Sequence, residues 1–245
     1  MSPAADSRAV IVSGATSGLG LAASRLLAEH GARVWVLGSR EETVAAALGQ
    51  FDAAGGTACD AADDAAVEAA VDEAADALGG LDGAFVNAGI DGEDRNAMEL
   101  SADHFRRVLD VNVVGAFVLA RAAARRMERG SAIVVNASVN GLRPEHGFMD
   151  YNASKAAAIS VAQSMALDLA DRGIAVSAIC PGYIRTPMTE AFLDDPERAA
   201  GLLADIPAGR FGEPVDVAEL VDFLLSGRAT YMTGSVLSID GGRSV

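Results

Sequence analysis

Tyr151 and Lys155 stand four residues apart, and together they could move a proton. On a helix, side chains at that spacing share one face. A free phenol has a pKa of roughly 10 and is a poor acid or base near neutrality. An adjacent ammonium stabilises the phenolate and lowers that value, which would make Tyr151 a usable donor and acceptor. Lys155 is the only lysine of the chain; the other 18 of its 19 Lys+Arg residues are arginine. A surface charge accepts either type, whereas a site needing a compact ammonium beside a phenol does not. Ser138 could hydrogen-bond the same substrate oxygen as Tyr151. The Tyr-x3-Lys spacing also fits an amphipathic helix whose two polar side chains merely reach solvent, so the surrounding elements must decide.

Those elements alternate. The unbroken apolar run at 9–12 reads as a strand buried on both faces. It leads into Ser13-Gly14-Ala15-Thr16-Ser17-Gly18-Leu19-Gly20 and then a helical pattern to about His30. In the strand–turn–helix context the glycines let backbone approach a pyrophosphate, and the helix offers free N–H groups and its positive dipole end. A tight turn without a ligand is the other reading of the same residues. Further strands are expected at 34–37, 57–60, 83–86, 133–137, 175–180 and 236–239. Helices are expected at about 63–78, 102–129, 151–171, 190–203 and 214–226. The pattern predicts an α/β fold: one doubly wound, Rossmann-type, parallel seven-stranded sheet with helices on both faces and right-handed crossovers. Residues 1–245 read as a single domain, and the Pro-, Gly- and charge-rich segment 186–212 as a mobile lid. Strand 133–137 would deliver Ser138 at its carboxyl end, where open parallel sheets bind ligands.

The second strand ends in Gly38-Ser39-Arg40, without the acid that usually takes a ribose 2′-hydroxyl in NAD-binding folds. Arg40 could meet a 2′-phosphate, with Ser39 donating a hydrogen bond, which favours NADP(H) over NAD(H). Ser39 and Glu42 also fit a helix capping box, and Glu41 and Glu42 would repel a phosphate if they faced it. A net charge of −15 argues against nucleic acid and anionic membrane as partners. No apolar run reaches membrane length, residues 1–8 lack a signal layout, and Cys59 and Cys180 read as buried thiols of a reducing compartment. A cytoplasmic protein is expected. His30, His104 and His146 are scattered, so no metal site is expected.

Taken together, Ser13-Gly-x3-Gly-x-Gly, Asn87-Ala88-Gly89 after the fourth strand, Asn112, Ser138, Tyr151-x3-Lys155 and Pro181-Gly182 come in an order that resembles the short-chain dehydrogenase/reductase family, from Ala9 to Gly242. In length and motif placement the chain looks like that family's 3-oxoacyl-(acyl-carrier-protein) reductases. Its main departure is Ser13, where the family usually has Thr. The resemblance implies hydride transfer between a nicotinamide and a carbonyl or carbinol carbon. It implies Tyr151 as proton donor or acceptor, Ser138 polarising the oxygen, Lys155 on the nicotinamide ribose, and Asn112 carrying a proton-relay water through a helix it bends. Gly14, Gly18 and Gly20 would contact pyrophosphate, Asp60 the adenine, and Asn87 the loop under the cofactor. Thr16, Ser17, Leu19, Ala61, Ala88, Gly89, Ile184 and Thr186 complete the implied cofactor site with Pro181 and Gly182. A homo-oligomer, dimer or tetramer, is also implied.

For substrate, the leading expectation is a ketone reduced with NADP(H), with a 3-oxoacyl thioester as one form. Arg129 and Arg172, read as the ends of two long helices, would then meet an acidic carrier, against which the net charge stands. The alternative is NAD-linked oxidation of a small or cyclic secondary alcohol, with Glu145 and His146 binding its polar groups or forming only an exposed loop. A catalytically silent nucleotide-binding scaffold is a third reading, disfavoured because Ser138, Tyr151 and Lys155 are all present.

Overall fold

The computed structural model describes residues 8–245. The amino-terminal stretch read above for targeting lies, but for Arg8, outside them. Seven strands form one parallel sheet: β1 (Ala9–Ser13), β2 (Arg33–Gly38), β3 (Gly55–Ala58), β4 (Leu81–Val86), β5 (Met127–Asn136), β6 (Ala175–Pro181) and β7 (Val236–Ile239). Their order is β3-β2-β1-β4-β5-β6-β7, with every neighbouring pair parallel. The direction of winding therefore reverses between β1 and β4, which opens a crevice beyond their carboxyl ends.

Alternation along the strands explains why their sequences run apolar without a break. Ile11, Trp35, Leu37, Ala84, Val86, Ile133 and Val135 point to one face, where they meet α3 (Asp64–Leu78), α5 (Ala116–Arg125) and α6 (Met149–Leu169). Val10, Val12, Val34, Val36, Phe85 and Val134 point to the other, against α1 (Gly18–Glu29), α2 (Glu41–Leu48) and α9 (Pro214–Leu225). Both faces are covered, so both parities must be hydrophobic. A small satellite core of Leu193, Ile206 and Phe211 sits under α7 (Glu190–Leu193) and α8 (Pro196–Ala204).

Three expectations about helices fail. The one expected at 190–203 is broken after Leu193 into α7 and α8. The helix expected at 102–129 is three pieces: α4 (Ala102–Leu109), a π-helical turn Asp110–Gly115, and α5, which ends at Arg125. The wide turn forms where Asn112 turns inward and Gly115 lies against the Ala61 carbonyl, a contact with no room for a Cβ. Polar residues 128–131 then belong to an irregular start of β5, whose register against β4 shifts between Leu81 and Gly83. Arg129 therefore ends no helix; its Nη2 donates to Asp171 O at 2.7 Å, and Arg172 Nη2 donates to Ala124 O at 2.8 Å. Both guanidiniums fasten backbone around the amino-terminal end of β5, away from the crevice at the carboxyl ends of the strands. The capping box at α2 is also absent: Arg40, not Ser39, is the N-cap residue, and no side chain caps that helix.

Candidate active site

The crevice encloses about 440 Å3 and runs from the first β–α turn to Tyr151. The turn is stitched at its base. Ser13 Oγ accepts the N–H groups of Asn87 at 2.9 Å and Ala88 at 3.0 Å, and Asn87 Nδ2 donates to Ser13 O and Gly14 O. Asn136 Nδ2 donates to Asn87 Oδ1 at 2.9 Å, so the tips of β1, β4 and β5 are one network. The serine hydroxyl thus ties the turn to the loop after β4. Gly14 sits at φ +60°, and an added Cβ would lie 2.9 Å from Asn87 Nδ2. Ser17, the N-cap of α1, makes no side-chain cap bond, so the first-turn N–H groups of that helix have no side-chain acceptor.

At the other end Ser138 follows β5, and Tyr151 and Lys155 rise from the first turns of α6. Asp150 Oδ1 accepts the Tyr151 N–H at 2.8 Å and holds that turn. Lys155 is buried, its Nζ donating to Asn136 O at 2.9 Å and lying 5.4 Å from the Tyr151 ring centre. Two of its three N–H groups remain for a ligand. Burial pulls the Lys155 ammonium down to about 8. Burial also pushes the Tyr151 phenol above its ordinary value; the Asp91 charge adds to this, and the Ser138 hydroxyl acts in the opposite sense. The expected lowering of the phenol beside Lys155 is therefore not met: burial and the Asp91 charge dominate, and the Lys155 ammonium is itself weakened by burial.

Most of the expected residues line the crevice: Gly14, Thr16, Ser17, Gly18, Leu19, Ser39, Asp60, Ala61, Asn87, Ala88, Gly89, Ser138, Tyr151, Lys155, Pro181, Gly182, Ile184 and Thr186. Gly20 does not; a Cβ there would run into the Gly14 carbonyl, so it serves close packing of helix on turn. Arg40 is exposed and lies just outside the lining. Asn112 is buried behind the wall, its Oδ1 accepting from Ile90 N at 2.8 Å and its Nδ2 donating to Ile90 O and Ser154 Oγ. His146 is exposed and reaches neither cavity, because the turn at Gly147 (φ +85°) sends Phe148 inward instead. Glu145 lines a smaller adjoining cavity, but Tyr183 Oη donates to its Oε1 at 2.6 Å and Asn140 Nδ2 to its Oε2 at 3.1 Å. Sequence reading missed Arg107, which lines the crevice 3.6 Å from Asp60 Oδ2, and Asp91, Tyr183 and Arg243 of the smaller cavity. Only Asp91, two residues beyond Gly89, carried a local signal.

A family model described as enoyl-(acyl carrier protein) reductase matches residues 14–244. A 2,5-dichloro-2,5-cyclohexadiene-1,4-diol dehydrogenase from Sphingobium indicum is 38% identical, over 96% of this chain and 96% of that protein. A short-chain dehydrogenase from Burkholderia cenocepacia J2315, in complex with NADP, superposes with a TM-score of 0.88 at 35% identity, over 98% of each chain. A 3-ketoacyl-(acyl-carrier-protein) reductase from Brucella melitensis, complexed with NADH, gives 0.90 at 30% identity, over 99% of this chain and 100% of that one. The chain belongs to the short-chain dehydrogenase/reductase family. It is an oxidoreductase of CH–OH and C=O groups that uses a nicotinamide cofactor.

The residues present fit such a cofactor. The positive-φ glycine turn and the helix N-terminus without a side-chain cap suit a pyrophosphate, and Lys155 has N–H groups free for a ribose. No helix among the described residues is long and apolar enough to cross a membrane.

Proposed function

We propose that the protein reduces a ketone to a secondary alcohol with NADP(H), Tyr151 acting as general acid and, in the reverse direction, as general base. The observation that carries this reading is the convergence of Ser138, Tyr151 and Lys155 on one end of the crevice whose other end is the glycine turn. A nicotinamide bound along it supplies or accepts the hydride. Ser138 orients the substrate oxygen. Tyr151 gives its hydroxyl proton to that oxygen as the C–H bond forms, or takes the proton as that bond breaks. Lys155 holds the ribose, and a cationic oxidised ring would add to its pull on the phenol. Gly14, Thr16, Ser17, Gly18 and Leu19 cradle the pyrophosphate, with Asp60 and Ala61 at the adenine and Asn87, Ala88, Gly89, Pro181, Gly182, Ile184 and Thr186 around the remainder. Asn112 fixes the Ile90 backbone beside Gly89.

The NADP(H) preference rests on the absence of an acid among residues 38–40 at the tip of β2, on Ser39 in the crevice lining, and on the exposed Arg40 guanidinium one residue outside it. Thermal stabilisation by NADPH and NADH at equal concentration tests it, since a ligand of the folded state stabilises by RT ln(1 + [L]/Kd). NADPH is expected to stabilise more, and Arg40→Ala to remove most of the difference. A larger shift with NADH would reverse the preference and favour NAD-linked alcohol oxidation. Residues 1–245 are proposed to act as one catalytic domain in a cytoplasmic homo-oligomer; exposed Val114, Phe117 and Leu167 on the two long helical segments supply apolar surface for it.

A further inference from the structure

We propose that the smaller cavity beside Tyr151 receives a second hydroxyl of the substrate, and that Asp91 selects for it. This makes the substrate class a small neutral polyol, cyclic diol or hydroxyketone. The inference rests on the assignment of Ser138 and Tyr151 to the reacting oxygen.

The cavity is about 80 Å3 and shares Ser138, Tyr151, Gly182, Met188 and Thr189 with the main crevice. An occupant therefore continues directly from the reacting carbon. At roughly 10–15 Å3 for each water-sized position, it holds about five to eight non-hydrogen atoms, which is a small ring rather than a long acyl chain.

Its polar groups are mostly occupied. Both Glu145 oxygens are filled, by Tyr183 and Asn140. Asp91 is different. Its Oδ1 accepts the Gly92 N–H at 2.9 Å, and its Oδ2 accepts from no described donor. Asp91 is half-buried and sits directly beside the tyrosine, since a Cβ on the next residue, Gly92, would lie 3.0 Å from Tyr151 Cβ. Burial, with the neighbouring Asp150 and Glu145 charges, holds its carboxyl above the ordinary range. A hydroxyl donated to Oδ2 would supply that oxygen a partner. Arg243, which lines the same cavity, stacks 4.7 Å over the Tyr183 ring, and its buried Nε has no partner. A hydroxyl can donate to Asp91 and accept from Arg243 at once. An anionic substituent would face Asp91 and Glu145, and an ammonium would face Arg243 and Arg198, so the mixed lining favours a neutral group that does both.

Binding and turnover test this separately. In a Tyr151→Phe background, loaded with the cofactor that stabilises the protein better, Kd is measured for cis- and trans-cyclohexane-1,2-diol, cyclohexanol and 2-aminocyclohexanol. The preferred diol isomer is expected to bind at least tenfold tighter than cyclohexanol. Adding Asp91→Ala should cut that preference about tenfold, and Asp91→Asn, which keeps an acceptor oxygen, should lose less. In the protein with Tyr151 intact, Asp91→Ala should lower kcat/KM about tenfold more for the diol than for cyclohexanol, mainly through KM. An unchanged diol preference in the folded Asp91→Ala and Asp91→Asn proteins, tighter binding of the amino alcohol, or no preference for diol in the parent overturns the proposal. Full turnover by Tyr151→Phe would instead overturn the underlying assignment of the reacting oxygen.

Discussion

Lys155 is a cation placed where burial resists it, and the consequence is a pH dependence of stability. Its folded pKa is about 8 against an ordinary 10.5, so between those values the unfolded chain binds more protons than the folded one. Stability therefore rises with pH across that window from this group, the sense opposite to a lysine held by an ion pair. Tyr151, raised in the folded state, acts the other way only above about pH 10. Urea unfolding at pH 7.5 and 9.5 should show the ligand-free protein gaining relative to Lys155→Met, which lacks the titrating group; equal differences at both values would contradict the burial of a charged Lys155. For Tyr151, Phe substitution removes the transferable proton and should lower kcat by about 10²–10⁴ while cofactor-induced thermal stabilisation persists.

At the scale of elements, the tip of β1 and the loop after β4 are held by one hydroxyl. Ser13→Ala would leave the Asn87 and Ala88 N–H groups without their acceptor and should cost about 1–3 kcal/mol, read from the urea midpoint, while Ser13→Thr should retain most of it. The π-helical turn is a second such device. Asn112→Ala deprives both the N–H and the carbonyl of Ile90 of a partner and should cost about 2–4 kcal/mol by the same measurement. The strands were plain in the sequence because burial on both faces forces unbroken apolar runs. The boundaries of the helix around Asn112 were not, because apolar residues continue at helical spacing through a turn whose pitch is set by contacts with Ile90, Ser154 and Ala61. The start of β5 was hidden for a related reason: its residues 128–131 are polar, and only pairing of Met127 with Leu81 makes a strand of them.

Across the whole molecule, the segment 186–212 is tied at its base and at a few points beyond it. Arg185 N donates to Gly212 O and Gly212 N to Tyr183 O, both at 2.9 Å, and Ile184 and Gly212 form an isolated bridge. Beyond that base the satellite core of Leu193, Ile206 and Phe211 anchors it, with Ala208 N donating to Gly241 O at 2.9 Å and Phe192 edge-on to Phe148, while Thr186 faces Gly18 across the crevice. A segment so held can close over a bound dinucleotide without disturbing the sheet. Limited proteolysis should cut within 186–212 first, and saturating cofactor should slow that cut several-fold; a rate indifferent to cofactor would count against a lid.

The sequence by itself determined the parallel sheet, the order of its motifs and the convergence of Ser138, Tyr151 and Lys155, because strand burial, glycine turns and the i,i+4 spacing are local rules. Tertiary structure alone decided that Arg40 and His146 stand outside the cavities, that Arg129 fastens the amino-terminal end of β5, and that Asp91, Tyr183 and Arg243 line one cavity beside Tyr151. It also decided the balance at the phenol, where burial and the Asp91 charge prevail. Desolvation and side-chain direction are sums over residues far apart in the chain, and no spacing of neighbours encodes them.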